Sequence, residues 1–228
     1  TVFVSCNSTF WARGSSELIG TCFLVMIVVG SGIMGERLST DQAIILLTNT
    51  LATGAGLVVL IWAFQGISGA HFNPAVSLVM WMHGTISKRQ LALYVGCQIL
   101  GGIVGTWIAN IMFDLPAWEL SQNIRDNNNF FLSEAIATFG LVFVIIRTIQ
   151  VNRYLVAPAV GLYITAGYWF TASTSFANPA VTIARVFTDT FTGINFISVP
   201  IFISAQILGA LLAFYYMQSL PQGQSKVE

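Results

Sequence analysis

The stretch 71-HFNPAVSLVM-80 returns as 176-FANPAVTIAR-185, with Asn73 and Asn178 in matching places. Asn caps a helix well, and Pro suits the first helical position because its missing N–H has no partner there anyway. Asn73-Pro74-Ala75 and Asn178-Pro179-Ala180 therefore read as two sharp helix starts. Both lie in largely apolar surroundings, where an unsupported break in the backbone is costly.

Composition explains those surroundings. Hydrophobic residues make up 55% of the 228, and charged residues 8%. A soluble domain carries about 25% charged residues, so this chain has too few to cover a water-facing surface. It reads as an integral membrane protein. Nine basic and nine acidic residues leave no net charge, and hence no global attraction to nucleic acid. Cys6, Cys22 and Cys97 are scattered, and neither His71 nor His83 has metal-ligand company nearby in sequence. No nucleophile–base set or phosphate loop is visible, so no metal, cofactor or enzymatic activity is expected.

A membrane span needs about 20 mostly apolar residues. Six candidates stand out, roughly 16–34, 42–64, 90–113, 130–150, 156–171 and 197–219, the fifth being short. Residues 1–15 lack the pattern of a cleaved leader, so the first apolar run is expected to be a retained span. With both termini cytoplasmic, Arg13, Lys88, Arg89, Arg147, Arg153 and Lys226 fall inside, and Arg37 and Arg125 outside. That asymmetry satisfies the positive-inside rule and places loop 114–129 outside.

Residues 66–84 and 172–188 join spans yet are themselves largely apolar. Each reads as a loop followed by a helix of about ten residues, which rises about 15 Å, half the hydrocarbon thickness. The two halves share one order of landmarks. Glu17, then Asn73-Pro74-Ala75-Val76, then Gln98 is matched by Glu134, then Asn178-Pro179-Ala180-Val181, then Gln206. Three spans per half, an odd number, turns the second half upside down. The expectation is one channel domain over 1–228 with inverted repeats at about 10–113 and 128–219. Such repeats place a site near the membrane midplane. Intramembrane carboxylates are expensive, so Glu17 and Glu134 read as acceptors for the broken loops, with Gln98 and Gln206 in support.

The paired Asn-Pro-Ala steps, 66-GISGAHFNPAV-76, the helix-start glutamates and the two Gln-Ile-Leu-Gly segments together resemble the aquaporins, or major intrinsic proteins. The resemblance covers about residues 16–219. It implies an all-α membrane protein of six transmembrane helices plus two re-entrant half-helices. It implies a homotetramer in a lipid bilayer, each protomer passing water or small uncharged solutes passively. Asn73 and Asn178 become the central pore donors, His71 a pore-lining residue, and the backbone carbonyls of 68–72 and 174–177 a hydrogen-bonding ladder. A bacterial inner membrane is the expected location.

The chain also departs from the family pattern. The usual Arg after the second Asn-Pro-Ala is Val181, and the Asp that marks the usual glycerol conductors is Thr182. The remaining filter places map to Ser175, to Thr53 and to either Ala166 or, with a two-residue gap, Tyr168. The gap-free choice is Ala166, and Tyr168 then joins Trp107, Trp118, Trp169 and Tyr154 in the interfacial aromatic belt. The expected filter of Thr53, Ala166, Ser175 and Val181 is wide and mildly apolar. It resembles a bacterial branch associated with metalloid permeation, with glycerol, urea and arsenous acid as candidate solutes. Arg185, one turn beyond Val181, has two readings. It folds back toward the pore, or it snorkels to headgroups and pairs with Asp189. The alternatives are a water-selective channel narrowed by Arg185 or Tyr168, and a secondary transporter, since inverted repeats occur there too.

Overall fold

Six long or medium helices and two short ones carry the chain in a computed structural model, which describes residues 8–220. Cys6 and Lys226 lie outside the described residues. The long helices are α1 (Phe10–Leu38), α2 (Gln42–Phe64), α4 (Lys88–Met112), α5 (Asn128–Val151) and α8 (Val199–Ser219). Each is long and apolar enough to cross a membrane. The sixth, α6 (Val156–Phe170), has 15 residues and follows a 3₁₀ turn, Arg153–Leu155. At 1.5 Å per α residue and about 2 Å per 3₁₀ residue the pair reaches about 29 Å, enough to span. The chain is a multi-pass membrane protein.

The two short helices are α3 (Pro74–Met82) and α7 (Pro179–Ala184), the latter extended by a 3₁₀ turn, Arg185–Phe187. Each begins at a capping Asn in extended conformation, with Pro in the first turn. Asn73 Oδ1 accepts from the Ala75 N–H at 2.9 Å, and Asn178 Oδ1 accepts from the Ala180 N–H at 3.0 Å. Rising about 14–15 Å, each half-helix covers half the hydrocarbon and no more.

The helices pair as the repeat requires. α1 packs on α4 and α5 on α8, while α2 packs on α6 across the repeat boundary. The Gln-Ile-Leu-Gly segments show how. A Cβ on Gly101 would overlap the Leu18 carbonyl, and one on Gly209 would overlap the Ala135 carbonyl. Leu18 follows Glu17 and Ala135 follows Glu134, so the same backbone-to-backbone approach recurs beside each carboxylate. Small residues at such crossings let membrane helices meet closely. An even number of crossings leaves residue 8 and residue 220 on one face, and loop 113–127 on the other.

Candidate functional site

Glu17 and Glu134 organise the two broken loops, and they do it atom for atom. Both are fully buried. Glu17 accepts from Ser68 Oγ (2.5 Å), the His71 N–H (3.0 Å), the Phe72 N–H (2.6 Å) and Gln98 Nε2 (2.8 Å). Glu134 accepts from Ser173 Oγ (2.6 Å), the Phe176 N–H (2.9 Å), the Ala177 N–H (2.8 Å) and Gln206 Nε2 (2.7 Å). Each Gln also donates to a hydroxyl on the adjacent half-helix, Ser77 or Thr182. A buried carboxylate is stable only when its oxygens are satisfied in this way.

What the carboxylates hold is strained backbone. Ala70 and Phe72 in the first loop, and Thr174, Ser175 and Ala177 in the second, have φ between 47° and 63°. Left-handed conformations of this kind cost L-residues about 1–3 kcal/mol each and persist where surroundings over-determine them. The matching outliers Ala70/Ser175 and Phe72/Ala177 show that both loops follow one path.

The loops meet through their asparagines. Asn73 Nδ2 donates to the Ala177 carbonyl at 2.7 Å, and Asn178 Nδ2 donates to the Phe72 carbonyl at 2.8 Å. With Oδ1 held by the helix start and one Nδ2 hydrogen held by the opposite loop, each amide has its orientation locked. The second Nδ2 hydrogen remains for a solute. Both asparagines line a cavity of about 620 Å³.

That cavity runs from Ser8, Arg13 and Arg153 on the terminal face, past His71, to Tyr168 and Arg185 on the opposite side. Residues 65–73 all line it, whereas the second loop contributes Ser175, Phe176 and Asn178. The 68–72 segment thus lines the cavity, but the Ser68 carbonyl already accepts from Tyr94 Oη at 2.7 Å and the Phe72 carbonyl from Asn178 Nδ2. His71 is tethered by a 3.0 Å contact between Nδ1 and Ser77 Oγ and packs edge-on against Tyr94.

Beyond the asparagines the wall carries Thr53, Ser175, Val181 and Tyr168, but not Ala166. Ala166 is exposed on the outside of α6. Two helix positions lie about 200° apart, so only one of the pair faces inward, and it is the tyrosine. Tyr168 is 4% exposed and its hydroxyl lies 3.2 Å from Thr53 Oγ1. It lines the cavity and does not sit in the interfacial belt. A hydrogen-bonded turn, Thr171–Thr174, follows α6. Gly167 fits the same register, since a Cβ there would lie 2.6 Å from Ser175 Oγ. That hydroxyl is buried without a partner among the described residues, on a residue that lines the cavity.

Arg185 lies in the wall as well, 3% exposed. It neither snorkels nor pairs with Asp189, whose carboxylate accepts from the Gln122 N–H. Its Nε donates to the Thr192 carbonyl, and its guanidinium carbon sits 3.5 Å from the Phe176 ring centroid. Arg125, from loop 113–127, reaches the same ring at 5.3 Å. Burial lowers the Arg125 pKa from its ordinary value, against the opposing pull of Glu134 and Tyr168. Nothing in the sequence announces Arg125, Phe176 or the Thr192 carbonyl as partners of Arg185. Backbone acceptors and loop side chains carry no spacing signal.

Comparison with known proteins agrees with this geometry. Residues 5–157 match the family described as Major intrinsic protein. The chain is 52% identical over 210 residues to the aquaglyceroporin AqpS of Rhizobium meliloti (strain 1021), covering 92% of this chain and 90% of that one. It is 27% identical over 217 residues to aquaporin-4 of Mus musculus, covering 91% of this chain and 66% of the relative. Among solved structures, the aquaglyceroporin from Plasmodium falciparum superimposes with a TM-score of 0.78 at 24% identity, covering 93% of this chain and 97% of that chain. That last likeness concerns the fold alone.

Proposed function

The chain belongs to the major intrinsic protein family, and from that premise we propose that it passes small uncharged hydroxylated solutes, together with water, through the Asn-capped cavity. As a family member it is a transport channel and not a catalyst. The observation that carries the solute class is the wall beyond the asparagines, where Val181 stands in place of the usual arginine beside the hydroxyl-bearing residues Thr53, Tyr168 and Ser175. Such a wall offers donors and acceptors to a polyol and leaves space that a guanidinium at 181 would fill.

Solutes of this class are glycerol, urea and arsenous acid, the last being neutral at ordinary pH. The relative named an aquaglyceroporin supports glycerol. A solute crossing the midplane exchanges water for the free amide hydrogens of Asn73 and Asn178. The N-termini of α3 and α7 converge there, and their partial positive charge opposes cations. The structure also favours a narrower variant of this reading. Tyr168 in place of Ala166 brings a phenol to the filter, so the pore is tighter than a Thr-Ala-Ser-Val ring. A coupled transporter is disfavoured because the cavity wall is built on two loops braced by buried carboxylates, with no cluster of metal-ligating side chains among the described residues.

The setting proposed is a bacterial inner membrane, with both termini cytoplasmic and loop 114–129 outside. The assembly proposed is a homotetramer, with repeats at about 10–113 and 128–219. The test is stopped-flow light scattering on proteoliposomes under glycerol and impermeant-osmolyte gradients, with arsenous acid uptake in parallel. Solute flux well above empty vesicles, and strongly reduced by Val181→Arg, is the expected result. Water flux with no solute uptake would replace the polyol reading with a water-selective one.

A further inference from the structure

Resting on that channel reading, we propose that Arg185 is the cation that sets the charge selectivity of this pore, and that Phe176 and Arg125 are positioning residues that hold it. Val181 leaves the cross-section next to Asn178 without a charge. Arg185 is one helical turn farther along α7, where position and face both return it to the cavity. It is 3% exposed and part of the cavity wall. A fixed guanidinium in a narrow, water-poor passage repels cations and hydronium far more strongly than it does at an open surface.

The brace is built from two separate loops. Arg185 Nε donates to the Thr192 carbonyl. Arg125 Nε donates to the Gly193 carbonyl at 3.2 Å, and Arg125 Nη2 to the Phe191 carbonyl at 3.3 Å. Three consecutive carbonyls, those of residues 191–193, thus accept from two guanidiniums, two bonds from Arg125 and one from Arg185. Both guanidiniums also sit over Phe176, which is backed by Phe202 with ring centroids 5.0 Å apart. The Arg125 backbone is itself pinned, its N–H donating to Ser198 Oγ at 2.8 Å. The acceptors of both arginines are carbonyls, not carboxylates, so neither charge is neutralised by these bonds. Among the described residues, the terminal amino groups of Arg185 have no protein acceptor, which leaves them to a solute oxygen. A planar fork that stacks and donates sideways is a task for arginine, not lysine.

The decisive quantity is the ratio of proton to glycerol permeability in one proteoliposome preparation. An internal pH dye under a valinomycin-set potential gives the first, and light scattering the second. Arg185→Gln is expected to raise that ratio by about tenfold or more. Adding Val181→Arg to Arg185→Gln is expected to bring it back down while slowing glycerol. Arg125→Gln should raise the ratio in the same direction by a smaller factor, and Arg125→Lys should fail to restore it. An unchanged ratio in Arg185→Gln vesicles that still conduct glycerol overturns the proposal. If that variant does not fold, Arg185→Met serves, with a raised proton-to-glycerol ratio expected and an unchanged one overturning the role of charge. Full recovery with Arg125→Lys overturns the positioning role. Wild-type vesicles that conduct neither glycerol nor water would instead sink the channel reading on which this rests.

Discussion

Glu134 lies near the loop face of α5, yet it is fully buried and holds four donors: a hydroxyl, two backbone N–H groups and an amide. Truncating it would orphan all four at once. Each buried donor left unsatisfied costs about 1–3 kcal/mol, and a native fold has only about 5–15 kcal/mol in hand. Glu134→Ala is therefore expected to cost about 4 kcal/mol or more. Glu134→Gln, which keeps one oxygen acceptor, should fall between it and the wild type. Thermal unfolding of the detergent-solubilised protein checks the order. A Glu134→Ala protein as stable as wild type would show that the strained second loop needs no such brace. Of the expected filter residues, Thr53, Ser175 and Val181 line the cavity, and each was legible in the sequence as a cavity residue because it sits at a fixed offset from an Asn-Pro-Ala step. Tyr168 was legible only as the alternative to Ala166, since the sequence alone leaves the length of the loop after α6 open.

At the scale of elements, the half-helices are dictated locally. An asparagine that caps and a proline that cannot donate will start a helix wherever they stand, and α3 and α7 begin at Pro74 and Pro179 as expected. What stops α7 is less local. It passes into a 3₁₀ turn at Arg185–Phe187, where Thr106 Oγ1 caps the Ala184 carbonyl at 3.0 Å. The long helices are fastened by close approach, and Gly209 is the sharpest case. Gly209→Ala must push α8 away from the Ala135 carbonyl, and overpacking of this kind costs about 1–3 kcal/mol. Gly96 in α4 is the control, since a Cβ there meets nothing within 4 Å. Gly96→Ala should leave stability unchanged or raise it by up to about 1 kcal/mol, as helix propensity favours alanine. The melting temperature should therefore fall for Gly209→Ala and not for Gly96→Ala, and an equal fall in both would refute the packing argument.

For the whole molecule, the proposed orientation has a direct readout. In a background lacking Cys6, Cys22 and Cys97, a cysteine introduced at Gln122 should react with an impermeant maleimide from outside intact cells. One at Ser87 should react only in inverted vesicles. The reverse pattern would turn the channel over in the membrane. The repeat itself needs no such test to be visible, because the carboxylate bonds, the left-handed residues and the Gly-to-carbonyl contacts all recur in pairs. Sequence alone determined the membrane setting, the span count, the two broken helices and their pairing. These follow from apolar run lengths and from backbone chemistry that acts within a few residues. Only the tertiary structure decided that Tyr168 faces the pore in place of Ala166, and that Arg185 turns inward onto Phe176 instead of outward to Asp189. Those choices are made by partners far along the chain: Thr53 on α2, the Thr192 carbonyl, and Arg125 in another loop. Which of several sterically allowed directions a long side chain takes is set by what packing brings beside it, and no local rule encodes that.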